Sequence, residues 1–169
     1  LWPLLLVAVF SVVLYLYSPV LKGRGAWGNI AISLCVAGLV AWGGLATGDW
    51  VAPGDGRSLW MLAGIVGWLN FLREWVKDIQ DLEGDRVAHH HTMAMRLTGV
   101  QNRMGLSTGC VLGMGLVLVW LALLDSPSWV LVLHGALGLT CLWWAWRGNA
   151  RRLSAWMKVW MACLFGGLL

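Results

Sequence analysis

The chain has 169 residues, of which 59% are hydrophobic and 12% charged, with a formal net charge of +4 at pH 7. This composition belongs to the bilayer and excludes an ordinary soluble domain. The basic residues are dispersed along the edges of apolar blocks and form no stripe, so the positive charge implies no nucleic-acid partner.

In chain order the apolar blocks fall at about Leu1–Tyr17, Asn29–Ala46, Leu59–Val76, Met104–Leu124, Trp129–Trp146 and Ser154–Leu169. A membrane-crossing helix needs roughly 17–25 residues to traverse about 30 Å of hydrocarbon. Stretches such as GCVLGMGLVLVWLALL are apolar on every face, where a soluble helix would show polar residues at a 3.6-residue period. The blocks therefore predict an all-α, polytopic transmembrane bundle with six spans and a single membrane domain over residues 1–169. The first residue is Leu and the chain opens inside an apolar block, so an N-terminal part is expected to precede it. Cys35, Cys110, Cys141 and Cys163 all lie within apolar blocks and carry neither a disulfide framework nor a zinc spacing.

Alternating spans place the loops near residues 18–28, 77–103 and 147–153 on one side and those near 47–58 and 125–128 on the other. Eleven of the twelve basic residues fall on the first side, with only Arg57 opposite. Cytoplasmic loops retain Lys and Arg, so residues 77–103 are expected to form a cytoplasmic cap loop of a plasma (inner) membrane protein. Trp27, Trp50, Trp75, Trp129 and Trp146 lie near span ends, where an amphipathic ring anchors to the interface. Gly105, Gly109 and Gly113 repeat every fourth residue, a helix-packing signal.

The chemistry concentrates in Arg73-Glu-Trp-Val-Lys-Asp-Ile-Gln-Asp-Leu-Glu-Gly-Asp85, at the end of the third block. On a continuous helix Asp78, Asp81 and Asp85 share an arc of about 60° at roughly 100° per residue. Like charges so placed repel unless a cation sits among them. Magnesium takes a few carboxylate oxygens together with waters and substrate phosphates, so the three acids suit a Mg²⁺–diphosphate ligand. The spacing equally suits a solvated helix end, with Lys77, Glu83 and Arg86 in weak surface pairs.

The string REWVKDIQDLEGDR resembles the second aspartate motif of the UbiA superfamily of intramembrane prenyltransferases. It is most similar to the KDIxDxEGD form of the geranylgeranylglyceryl phosphate geranylgeranyltransferases. Leu14-Tyr-Leu-Tyr-Ser-Pro-Val-Leu-Lys22, followed by Gly28-Asn29, resembles the span end and basic loop before that family's fifth helix. The family has nine transmembrane helices, and the resemblance makes the six spans its helices four to nine. The family's first motif, NDxxDxxxD, does not occur in residues 1–169.

The resemblance implies catalytic roles for Asp81, Asp85 and Lys22, with Asp78, Asp81 and Asp85 as Mg²⁺ ligands. Lys22, Arg73 and Lys77 would contact the diphosphate, Arg73 serving equally as a topology signal. The implied reaction transfers a prenyl group, geranylgeranyl by subtype, from its diphosphate to a glycerol-phosphate lipid or an aromatic acceptor. Ring faces of Tyr15, Tyr17 or Trp68 would tolerate an allylic cation. Two readings from other classes are an ion or metal transporter, which mid-span acids would mark, and a catalytically silent fragment or accessory subunit. The family pattern DRxxGxxTLP is broken after Asp85, with His89 at the Gly position and Ala94 at the Pro position. His89 lies either on the acidic helix face, if the helix runs that far, or in a solvated loop. The His89–His91 run is at most a weak metal-binding tract, since adjacent helical side chains do not face one ion.

Overall fold

Apolar side chains cover much of the outside of this protein while several polar ones are buried, the reverse of a water-soluble arrangement. Leu4, Leu5, Val12, Leu112, Val119, Leu123 and Val132 are exposed, whereas Asn29, Ser33, Asn70, Glu74, Asp78, Asp85 and His134 are buried. The computed structural model describes residues 2–21, 24–47 and 57–166. The loop near Gly54 and the anchor position Trp50 lie outside them.

The chain forms two compact units, Leu1–Arg96 and Leu97–Leu169. The first begins with α1 (Trp2–Leu16), a π-helical turn (Tyr17–Leu21), β1 (Arg24–Gly25) and α2 (Ala26–Thr47). It continues with α3 (Arg57–Gln80), α4 (Leu82–Val87), β2 (His91–Thr92) and α5 (Met93–Arg96). The π-helical turn contains Pro19, which lacks an N–H to donate to the helical ladder.

Helices α2 and α3 pack antiparallel through small residues. A Cβ at Gly67 would stand 3.0 Å from the Ala37 Cβ and 3.3 Å from the Ser33 carbonyl oxygen. Against them the inward stripe Leu59, Leu62, Ile65, Val66, Leu69, Leu72 and Val76 forms the buried core of this unit. The strands β1 and β2 pair in parallel, Arg24 with His91 and Gly25 with Thr92. This short bridge ties the segment leading into α2 to the segment following the acidic helix.

The second unit is a row of α6 (Gly99–Leu123), α7 (Ser128–Trp146) and α8 (Ala150–Gly166). Thr98 starts α6 with a reciprocal cap: its Oγ1 accepts from the Gln101 N–H at 3.2 Å, and its own N–H donates to Gln101 Oε1 at 2.9 Å. Of the glycine series, Gly109 and Gly113 are buried and Gly105 is half-buried. At the membrane edge the Arg147 and Arg152 guanidiniums lie 4.4 and 4.6 Å over the Trp143 and Trp144 rings. Trp27, Trp129 and Trp146 are exposed near helix ends, as interfacial anchors should be, while Trp75 is buried.

The protein is all-α apart from the two-residue strands, and it is an integral membrane protein by its apolar helices. Among the described residues three helices are long and apolar enough to cross a membrane: Ala26–Gly44, Gly99–Leu123 and Ser128–Trp146, with Val7–Leu16 a shorter apolar helix. In α3 the apolar run is interrupted by Asn70, Arg73 and Glu74. Residues 77–103 are not an open loop, for they contain the end of α3, all of α4, β2 and α5, and the start of α6.

Candidate active site

The acidic stretch does not continue as one helix. α3 ends at Gln80, Asp81 turns with φ −98° and ψ 9°, and α4 begins at Leu82. The backbone bonds from the Asp81 N–H to the Lys77 carbonyl (2.9 Å) and from the Asp85 N–H to the Asp81 carbonyl (2.8 Å) bridge the break. The three carboxylates separate accordingly: Asp78 and Asp85 are only 6% and 2% exposed, while Asp81 is exposed.

Asp78 has a partner from the neighbouring helix. Asn29, in the first turn of α2, donates from Nδ2 to Asp78 Oδ2 at 2.8 Å. The Ser33 hydroxyl donates to the Asn29 carbonyl at 2.6 Å, and Asn70 Nδ2 donates to the Ser33 hydroxyl at 3.4 Å. A polar ladder thus descends from Asp78 along the α2–α3 seam. Its signal in the sequence is the four-residue spacing of Asn29 and Ser33, and of Asn70, Glu74 and Asp78, inside otherwise apolar helices.

Glu74, 5% exposed, is the acid missing from the expected site. Arg73 and Lys77 both pair with it, each at 2.9 Å. The two cations expected on a diphosphate therefore already serve a buried carboxylate. Lys22 lies outside the described residues.

Tyr17, first residue of the π-helical turn that follows α1, is half-buried near Glu74, Asp78 and Asp85. Of the other candidate rings, Tyr15 is exposed, and Trp68 stacks on Phe71 with centroids 6.0 Å apart.

After α4 the chain turns back on itself at His89, whose φ is +55°. His89 is exposed, off the acidic face, and His90 takes the nearby place with Nδ1 3.4 Å from Asp85 Oδ1. Among the described residues no three His, Cys, Asp or Glu side chains are grouped to hold a metal. The available donors are hard carboxylate oxygens, which suit Mg²⁺ held by one or two carboxylates and completed by substrate phosphates and water. They do not make an all-protein cage.

A family-level comparison decides what this site belongs to: the UbiA prenyltransferase family matches residues 1–166. The chain belongs to the UbiA prenyltransferase family. UbiA relatives named digeranylgeranylglyceryl phosphate synthase are similar to it. That of Korarchaeum cryptofilum is 34% identical over 93 residues, 55% of this chain and 31% of the relative. That of Methanopyrus kandleri is 39% identical over 83 residues, 48% of this chain and 28% of the relative. The Natronomonas pharaonis protein is 28% identical over 162 residues, 89% of this chain and 53% of the relative. The chain thus spans about half the length of that relative, and less of the other two. No solved structure matches it.

Proposed function

We propose that this chain carries the second aspartate-rich site of a Mg²⁺-dependent intramembrane prenyltransferase, which moves a geranylgeranyl group from its diphosphate to a glycerol-phosphate lipid. The observation that carries the reading is the burial of Asp78, Asp85 and Glu74 around Tyr17 at the end of an apolar helix pair. Burying carboxylates costs several kcal/mol each unless compensated, and a membrane protein retains such groups where they act. UbiA membership and the names of the similar synthases favour prenyl transfer and a glycerol-phosphate lipid acceptor over an aromatic one.

In this reading Asp78, Asp81 and Asp85 are the carboxylates that would hold Mg²⁺, one or two of them at a time with water and diphosphate oxygens completing its shell, and the ion would supply countercharge to the diphosphate. Lys22 contacts the same anion, and Arg73 and Lys77 reach it if they share their charge with Glu74. The allylic C–O bond breaks with its electron pair going to the diphosphate oxygen. The acceptor hydroxyl oxygen then closes on the allylic carbon and releases its proton. The Tyr17 ring, half-buried beside the acids, offers a face to the allylic cation. The apolar blocks make six spans corresponding to helices four to nine of the family's nine, with the acidic site facing the cytoplasm across the plasma (inner) membrane.

The test is transfer by the full-length protein from radiolabelled geranylgeranyl diphosphate to a geranylgeranylglyceryl phosphate acceptor, with Mg²⁺ present or chelated. Product that forms only with Mg²⁺ supports the reading. An absence of product with both substrates and Mg²⁺ present overturns it.

A further inference from the structure

Four arginines stand at one end of the second unit with no carboxylate to balance them. Arg103 lies in the first turns of α6, Arg147 at the end of α7, and Arg151 and Arg152 at the start of α8, all exposed. Among the described residues none of the four forms an ion pair. The single acid of residues 97–169, Asp125, precedes the other end of α7, whose 19 residues rise about 28 Å. Salt screens charges in water over roughly 8–10 Å, so Asp125 does not neutralise the cluster.

Contacts around one turn draw the arginines together. Gly148 takes φ +67°, and Arg103 Cδ lies 2.9 Å from where its Cβ would stand, so α6 lays a cationic side chain against the α7–α8 turn. Asn149 Oδ1 accepts the Arg152 N–H at 3.1 Å, which fixes the start of α8. Arg147 lies over the Trp143 ring, and Arg152 reaches back from α8 over the Trp144 ring of α7, at 4.4 and 4.6 Å. A guanidinium stacked on a ring keeps the N–H donors along its edge for an anion. Trp143 and Trp146 are 52% and 66% exposed at this same end, and such rings suit the boundary between hydrocarbon and headgroups. Sorting of charge across a membrane needs only the number of basic residues, not stacked pairs or the convergence of three helices on one turn.

We infer that the turn 147–149 and the arginines around it form a binding surface for the headgroups of anionic phospholipids. The lipid phosphate is met by the guanidinium edges of Arg147 and Arg152, Arg103 and Arg151 add charge, and the exposed tryptophan rings lie against the adjoining lipid. A free phosphate offers the same anion but nothing for the rings, whereas a lipid surface satisfies both. The surface belongs to the unit without the aspartate motif, so it serves the seating of the protein in its leaflet and not the bond-making step.

The experiment follows the melting temperature of the full-length protein in neutral detergent as phosphatidylglycerol is added, with phosphatidylcholine and inorganic phosphate as separate arms. Phosphatidylglycerol should raise it to saturation and the other two should not, because a ligand of the folded state stabilises it by mass action. In Arg147→Gln/Arg152→Gln the half-saturating amount of lipid should rise roughly 25-fold, a factor of about five for each charge taken from a lipid surface. Arg147→Lys/Arg152→Lys keeps charge and topology but loses the planar fork, and should need more lipid than wild type. The wild-type response should largely disappear in about 1 M NaCl, where the screening length falls to about 3 Å, a check that needs no variant to fold. Equal shifts with phosphatidylcholine, or a full response to inorganic phosphate alone, would overturn the assignment. So would a response that neither salt nor the Gln pair alters. A Lys pair indistinguishable from wild type would overturn it as well, by reducing these arginines to topology signals.

Discussion

Asn29 and Asp78, 49 residues apart, meet at 2.8 Å across the seam between α2 and α3, and both are buried. The bond joins the helix entering from the basic segment to the helix carrying the acids. A hydrogen bond to a charged group contributes about 1.5–3 kcal/mol, and removing one side leaves the buried carboxylate short of a donor. Asn29→Leu should therefore destabilise the protein by about 1–3 kcal/mol, read as a lower melting temperature in detergent. Asn29→Asp should be worse, since it sets two carboxylates against each other. An unchanged melting temperature in both variants would show that the contact carries no stability.

The helices and the acidic stretch were legible because their signals are local. α6 and α7 are apolar on every face, and Asp78, Asp81 and Asp85 lie within one eight-residue string. The break at Asp81 was not legible, since helical periodicity assumes the chain continues, and Asp81 leaves helical geometry at one residue only, with φ −98° and ψ 9°. That single residue turns the expected shared face into two buried acids and one exposed acid. The β1–β2 pairing joins residues 67 positions apart (Arg24 to His91), beyond the reach of any local pattern. The ladder of Asn29, Ser33 and Asn70 was written in four-residue spacing, but beside the seven acidic and basic residues of the stretch 73–85 it is the quieter signal.

Topology follows from the sorting of basic residues. Single cysteines introduced at positions 22, 54 and 86 of an otherwise cysteine-free protein should label from opposite sides, with 22 and the exposed position 86 cytoplasmic and 54 external. An impermeant thiol reagent applied to intact cells should reach position 54 alone. Labelling of 54 and 86 from the same side would end the six-span arrangement.

The acids themselves give the most direct test of the proposed chemistry. Asp81→Asn and Asp85→Asn in the full-length protein should each lower turnover by at least about 10²-fold, since a lost metal ligand acts on the transition state. The two positions differ in burial, and this separates their effects on stability. Asp81 is exposed, so its replacement should leave the melting temperature unchanged or slightly raised by relief of like-charge repulsion. Asp85 is 2% exposed and faces His90, so its replacement removes a buried charge together with the His90 contact and should shift stability in either direction by more. Raised Mg²⁺ should restore part of the activity of each single variant, because weakened metal affinity is offset by mass action. Lys22→Ala should lose activity without that rescue, since its charge acts on the diphosphate and not on the metal. If the acids only decorate a helix end, the Asp81→Asn/Asp85→Asn protein transfers prenyl groups at close to the wild-type rate, and the metal-holding role of this pair is refuted.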